Sequence, residues 1–393
     1  MSTPYLIAAR RTPLGKLTGA LASFSAQELA SMAMLAAVAD ANIDPVLVEE
    51  VILGQVLQAG AGQAPARQAL LLAGLPVATT SVTINRVCGS GLDAITQAAR
   101  MIRAGDARVV VAGGMESMSR APHLLTTGRT GVKFGDLTLL DALQHDGLTC
   151  ATEKLSMGAI ADRLATQHSI AREELDAFAL ESHHRAAKAQ ELALFQKEIV
   201  PISITAKSGT TTVDRDEGPR PGIIANDLAR LRPAFDPAGT TTAGNASQIS
   251  DGAAAVVVVS EEIASHATGA LRAKIVATSS VSRAPRDLFE APIDAVYQLL
   301  NRARWNSADV DLWEINEAFA SQTIACMRGL SIKHDRLNVH GGAIALGHPI
   351  GCSGARVVVT LLHALAARGL SRGVATLCLG GGGAVAIAVE LQP

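Results

Sequence analysis

Cys88 sits in "TINRVCGSGLDAITQAARMIRAGDARVVVAGGMES", residues 83–117, between a β-branched run and a Gly-Ser-Gly that opens an alanine-rich segment. A thiol just ahead of a helix start lies near unpaired backbone N–H groups and the positive end of the helix dipole, where a thiolate is stabilised. That setting suits a nucleophile, the alternative being a buried structural cysteine. "GSGLDA" also fits G-x-G-x-x-A, with Glu116 roughly 20 residues further on, a spacing shared with dinucleotide-binding turns. Against that reading, the unit lies well inside the chain rather than opening the fold, and its glycines equally serve the tight turn a nucleophile needs.

A second candidate lies in "NVHGGAIALGHPIGCSGAR", where His348 is held between Gly347 and Pro349. A rigid turn of this kind fixes an imidazole for proton transfer instead of packing it on a helix face. Cys378 ends the strand-like "GVATLCL", which runs into four glycines beginning at Gly380. If the two thiols occupy corresponding strand ends they converge, and the N–H groups of Gly380 and Cys88 become available to an oxyanion. "LWEINEAFAS" places Asn316 and Glu317 at a strand-to-helix junction, where Asn316 either caps the helix or positions a water or carbonyl.

These residues need a scaffold, and the sequence supplies one in alternating strands and helices. "SAQELASMAMLAAVADANI" carries a capping box, Ser25 with Glu28, ahead of apolar residues at helical spacing. Around Cys88 the pattern predicts a strand over 82–87, a turn over 88–91, a helix to about Ala104 and a strand over 108–112. The C-terminal part repeats this order. Superposing Ser353-Gly354 on Ser90-Gly91 brings Gly380-Gly381 opposite Gly113-Gly114 with an offset of four residues, which predicts two related α/β halves.

Residues 119–248 differ, being richer in charge, threonine and turn signals, and read as an inserted loop domain. The N-terminal half is then 1–118 completed by 249–270, and the C-terminal half is 271–393. Within the insert, Arg220, Arg230 and Arg232 face one acid, Asp227, and offer either a solvated face or an anchor for a phosphorylated ligand.

Bulk properties exclude several classes. The 393 residues are 48% hydrophobic and 3% aromatic with 35 glycines, a composition suited to tight helix-on-sheet packing. A net charge of −2 argues against a general nucleic-acid or membrane-surface binder. Five cysteines, an odd number with no C-x-x-C, predict reduced thiols, and the ten histidines lack metal-ligand spacing, so no metal site is expected. The apolar runs are broken by glycine and fall short of a membrane span, and neither end reads as a targeting segment, so a cytoplasmic location is expected.

Together, "VCGSG" at 87–91, "NEAFA" at 316–320, "GGAIALGHPIGCSGAR" and "CLGGGGAVA" resemble the four signature segments of the thiolase family, in its order and spacing. The resemblance implies an α/β thiolase fold: two similar βαβαβαββ halves in α-β-α-β-α layers, with an inserted loop domain. "GRTGVKFGDLTLL" is similar to the tetramerisation loop of the biosynthetic branch, implying a homotetramer built as a dimer of dimers. The implied activity is acetyl-CoA C-acetyltransfer, a reversible Claisen condensation of two acetyl-CoA to acetoacetyl-CoA and CoA. CoA thioesters are the substrates and no cofactor is expected.

Carried over residue by residue, the resemblance makes Cys88 the nucleophile, His348 its base and Cys378 the acid or base at the α-carbon. Asn316 with His348, and the N–H groups of Cys88 and Gly380, form two oxyanion holes. Arg220 would lie near the CoA nucleotide, with Leu148, Met157, Ser247, Phe235, Ala318 and Phe319 along the pantetheine and acyl region. This chain departs from the family at Ser156, where His is usual beside the CoA tunnel, and at His340, where Asn is usual. Competing readings are a degradative 3-ketoacyl-CoA thiolase for longer chains, a catalytically silent acyl-CoA-binding protein and an NAD-dependent oxidoreductase. A ketoacyl synthase would carry a second His where Cys378 stands.

Overall fold

The computed structural model describes residues 2–206, 209–269 and 271–392. Lys207 and Ser208 in the polar insert, and the joint between the two halves at Ala270, lie outside the described residues.

The five strands of the N-terminal half lie in the order Thr80–Ile84, Glu50–Gly54, Val109–Ser117, Ser250–Ser260, Pro4–Arg11. The first two junctions are parallel and the next two antiparallel. The C-terminal half repeats this order and these senses: a bridge at Leu337, then Leu312–Ile315, Arg372–Leu379, Gly383–Leu391 and Ala273–Ser282. The halves meet where their first strands pair antiparallel, Tyr5 with Lys274 and Leu6 with Ala273, so hydrogen bonding runs continuously through one sheet, whose tenth strand among the described residues is the short Gly15–Lys16 beside Ser250–Ser260.

The layers follow from strand periodicity. In Ser250–Ser260, Ala254, Val256 and Val258 face one core, while Ala253, Ala255, Val257 and Val259 face another. A strand covered on both faces reads as an unbroken apolar run, hence "AAAVVVV". Helices Ala26–Asp40 and Pro65–Leu72 cover the outer face of the first half. Ala291–Ala303 and Ala320–Leu330 cover that of the second. Between the halves lie helices Ser90–Ala104 and Ile350–Arg368, packed against the inner faces of both. Ile350–Arg368 is long and apolar enough to cross a membrane, but here it is the central core helix. Glycine lets the two central helices touch: a Cβ on Gly91 would stand 2.7 Å from Ala355 N. Their N-terminal ends therefore lie together, and each is preceded by one of the candidate turns.

The capping box forms, with Ser25 N–H donating to Glu28 Oε2 (2.8 Å) and Glu28 N–H to Ser25 Oγ (3.2 Å). Two boundaries differ from expectation. The strand before Cys88 ends at Ile84, because Asn85 Oδ1 accepts the Val87 N–H (2.9 Å) and Val87 turns to φ 47°. The strand expected over 108–112 runs to Ser117, straight through Gly113 and Gly114. Those glycines are close-approach sites rather than a stop, since a Cβ on Gly113 would meet Ala255 Cα at 2.9 Å.

The segment between the sheet strands contributes helices Met157–Gln167 and Arg172–Glu191 and the hairpin formed by Ile202–Ala206 and Gly209–Val213. It is tied to the first strand by a buried cluster in which Arg11 donates to Glu198 (2.6 Å) and to Asp216 (2.7 Å).

Candidate active site

Cys88 stands in a strained elbow. Val87, a β-branched residue, has a left-handed backbone that costs strain unless its surroundings over-determine it. Here they do: Ser90 Oγ donates to Val87 O (2.6 Å) and accepts the Arg86 N–H (2.8 Å). The helix begins at Ser90, two residues past the thiol.

The thiolate expected from the helix start is not favoured at rest. Burial pushes the Cys88 thiol up to about 11, outweighing the N–H groups of Gly380 and Cys88 itself, which favour the anion. The next N–H groups are spent within the turn, that of Gly89 on Arg86 O (3.0 Å) and that of Ser90 on Val87 O (3.1 Å).

His348 follows Gly347, whose φ of 115° suits glycine, and its own N–H donates to Gln248 O (2.9 Å). The ring is buried, with Nδ1 2.5 Å from Ser353 Oγ and Nε2 3.4 Å from Asn316 Nδ2. Burial, and then the nearby Arg356, lower its pKa to about 3, so the imidazole is neutral. Asn316 is fully buried and does not cap the following helix; its Oδ1 accepts from Arg356 Nη2 (3.5 Å) and its N–H donates to Thr376 O (3.1 Å). Glu317 is a buried brace, accepting from Ser182 Oγ (2.7 Å), Asn338 Nδ2 (2.9 Å) and Ile344 N–H (3.2 Å). Cys378 is buried near the end of its strand, and burial followed by the nearby Cys88 raises its pKa well above the ordinary thiol value.

These groups converge on one cavity of about 50 Å³. Its wall holds Cys88, His348, Cys378 and Gly380 together with Leu148, Met157, Ser247, Ala318 and Phe319. Gly147, Leu288, Phe289, Ile350 and Leu379 complete it, and sequence reasoning missed these. Only the apolar pair "LF" at 288–289 behind the Pro285 turn could have hinted at two of them. Asn316 stands behind His348 rather than in the wall.

Three expected residues lie elsewhere. Ser156 caps helix Met157–Gln167, its Oγ accepting the Ala159 N–H (3.2 Å). Phe235 is 43% exposed and meets Phe319 edge-on at 6.2 Å, outside the cavity. Arg220 is exposed, its N–H donating to His183 Nδ1 (3.3 Å). Arg230 and Arg232 are also exposed, and Asp227 accepts the Ile224 N–H (3.1 Å) instead of pairing with an arginine. His340 packs edge-to-face with Phe195 (5.9 Å) and does not line the cavity.

Glu116 separates the dinucleotide reading from the nucleophile reading. It is fully buried and accepts N–H groups from Val56 (3.0 Å), Leu57 (3.1 Å) and Gly351 (2.9 Å), so it braces the turn before the second central helix and has no free face for a ribose.

Residues 5–262 match the family described as thiolase, N-terminal domain, and residues 270–391 match thiolase, C-terminal domain. The chain belongs to the thiolase family. Within it, the chain is 47% identical to the probable acetyl-CoA acetyltransferase of Escherichia coli K12, covering 99% of each. It is 48% identical to the acetyl-CoA acetyltransferase of Chromobacterium violaceum, covering 98% of each. The crystal structure of the Bacillus anthracis acetyl-CoA acetyltransferase superposes with a TM-score of 0.97 at 41% identity, over 100% of this chain and 99% of that one. The thiolase fold is thus established over the whole length, and the duplicated strand order is its internal repeat.

Proposed function

We propose that this chain is an acetyl-CoA C-acetyltransferase that joins two acetyl-CoA reversibly into acetoacetyl-CoA and CoA through an acetyl-cysteine. The observation that carries the reading is the meeting of two thiols and one neutral imidazole in a single narrow, apolar cavity. Its thiolase relatives named as acetyl-CoA acetyltransferases point the same way.

The chemistry balances with these groups alone. Cys88 Sγ attacks the acetyl carbonyl carbon as its proton moves to His348 Nε2, and the departing CoA sulfur takes the proton of Cys378. The Cys378 thiolate then removes an α-proton from a second acetyl-CoA, whose enolate oxygen lies against protonated His348 and a water held by Asn316. The enolate carbon attacks the acetyl-Cys88 carbonyl, and the resulting oxyanion sits between the N–H groups of Cys88 and Gly380. Collapse breaks the C–S bond, and the Cys88 sulfur recovers its proton from His348. Both cysteines begin and end as thiols, in keeping with their raised pKa values.

Residues 119–248 are assigned to CoA binding and tetramer assembly. Arg220 takes the nucleotide end, Ser247 and Leu148 line the pantetheine path with Phe235 at its mouth, and Met157 borders the acyl group. Phe134 is 99% exposed and Leu137 and Leu139 also face outward, which favours a partner for the 128–140 loop in a homotetramer. A cytoplasmic location goes with this reading. A cavity of about 50 Å³ favours acetyl over longer acyl groups. The test is steady-state CoA-dependent cleavage of acetoacetyl-CoA against 3-oxohexanoyl-CoA and 3-oxooctanoyl-CoA. Faster turnover of acetoacetyl-CoA supports the reading, and preference for the longer substrates moves the chain to the degradative type.

A further inference from the structure

Two polar side chains lie buried near the start of helix Ile350–Arg368: Ser353 and, one turn on, Arg356, which also pairs with the buried Glu314 (3.3 Å). Neither borders the cavity, yet each touches a group that does chemistry in the mechanism above.

The Ser353 hydroxyl has one proton and two neighbours. It lies 2.9 Å from Pro349 O, which can only accept, and 2.5 Å from His348 Nδ1. Giving the proton to Pro349 O leaves Ser353 Oγ as an acceptor, so Nδ1 must carry hydrogen and Nε2 must be bare. The other side of the ring reaches the same result independently. Arg356 Nη2 is a donor and engages Asn316 Oδ1 (3.5 Å), which turns the Asn316 NH2 toward His348 Nε2 (3.4 Å). An N–H on Nε2 would oppose that amide donor to donor, whereas a bare Nε2 accepts from it.

We propose that Ser353 is a positioning residue that holds the proton of His348 on Nδ1 and leaves Nε2 free to take the proton of Cys88, with Arg356 orienting the Asn316 amide to match. Buried neutral imidazole has no preference of its own strong enough to guarantee this tautomer, and the wrong one cannot serve as a base toward Cys88. The proposal rests on the reading of His348 as the base, and its consequences extend to the later step, where the same Nε2, now protonated, faces the enolate oxygen.

The test is a double-mutant cycle of Ser353→Ala and His348→Asn with two readouts on the purified full chain. One is the rate of Cys88 alkylation by iodoacetamide at pH 7, located by peptide mass spectrometry, which needs no CoA substrate. The other is kcat and KM for CoA-dependent acetoacetyl-CoA cleavage. Loss of a residue that fixes a histidine tautomer is expected to cost about 10- to 100-fold in alkylation rate and kcat, with KM within about twofold. With His348→Asn already present, Ser353→Ala should cost nothing further. Ser353→Cys keeps the side-chain volume with a poorer acceptor, so it carries the same cycle if alanine destabilises the helix, and its loss should be intermediate. An alkylation loss of equal size with and without His348 would overturn the proposal, as would a wild-type rate retained in Ser353→Ala. Absence of acetoacetyl-CoA cleavage in the wild type contradicts the functional reading instead, and the alkylation cycle still decides the role of Ser353.

Discussion

Val87 and Gly380 touch across the boundary between the two halves: a Cβ placed on Gly380 would stand 3.1 Å from Val87 Cγ1. The strained residue before one thiol thus packs against the glycine after the other, and the Gly380 N–H is held facing the Cys88 sulfur. Gly380→Ala should push the two turns apart and weaken that donor. The expected result is a loss of about tenfold or more in kcat for acetoacetyl-CoA cleavage, with an unchanged far-UV spectrum.

The central helices make a similar demand on Gly91, whose added Cβ would meet Ala355 N at 2.7 Å. Gly91→Ala should destabilise the fold by about 1–3 kcal/mol, read as a lowered midpoint in urea.

Much of this site was legible locally. Cys88, His348 and Cys378 are each flanked by glycines that announce a constrained turn, and the two halves share a strand-turn-helix-strand grammar that survives as an identical strand order. What could not be read is what arrives through tertiary packing. Gly113 and Gly114 look like a strand end in sequence but are the close-approach points of a strand that continues to Ser117. A helix start offers N–H groups to a resting thiolate, yet the elbow spends those of Gly89 and Ser90 internally and burial outweighs the rest. Ser353 and Arg356 left one trace, polar residues in the otherwise apolar first two turns of the central helix, with nothing in sequence to say which rings and amides they meet.

Two buried histidines should each weaken the fold in acid, against buried carboxylates such as Glu116 and Glu314, whose raised pKa values act the other way. Burial lowers His348 to about 3 and His183 to about 4, so each is neutral in the fold and binds a proton more readily once unfolded. Their contribution is complete above about pH 6.5 and is lost as pH falls toward the folded values, by about 2–3 kcal/mol each at pH 4.5. Between pH 7 and pH 4.5 the Tm of His183→Gln should therefore shift less toward instability than that of the wild type, read from paired thermal melts.

Chain-length preference should respond to the cavity wall. Met157→Ala enlarges it where the acyl group lies, and the ratio of kcat/KM for 3-oxohexanoyl-CoA to that for acetoacetyl-CoA should rise about tenfold, the scale set by one or two methylenes. Equal ratios in variant and wild type would place the acyl chain elsewhere.

The most direct test of the central claim is intact-mass spectrometry after brief exposure to acetyl-CoA, in wild type and Cys88→Ala, with acetoacetyl-CoA cleavage followed in the same samples. The account predicts one acetyl group on the wild type, none on Cys88→Ala, and cleavage lost by about 10⁴-fold or more with the thiol. An acetyl adduct that persists in folded Cys88→Ala, or cleavage that survives the substitution, would contradict it.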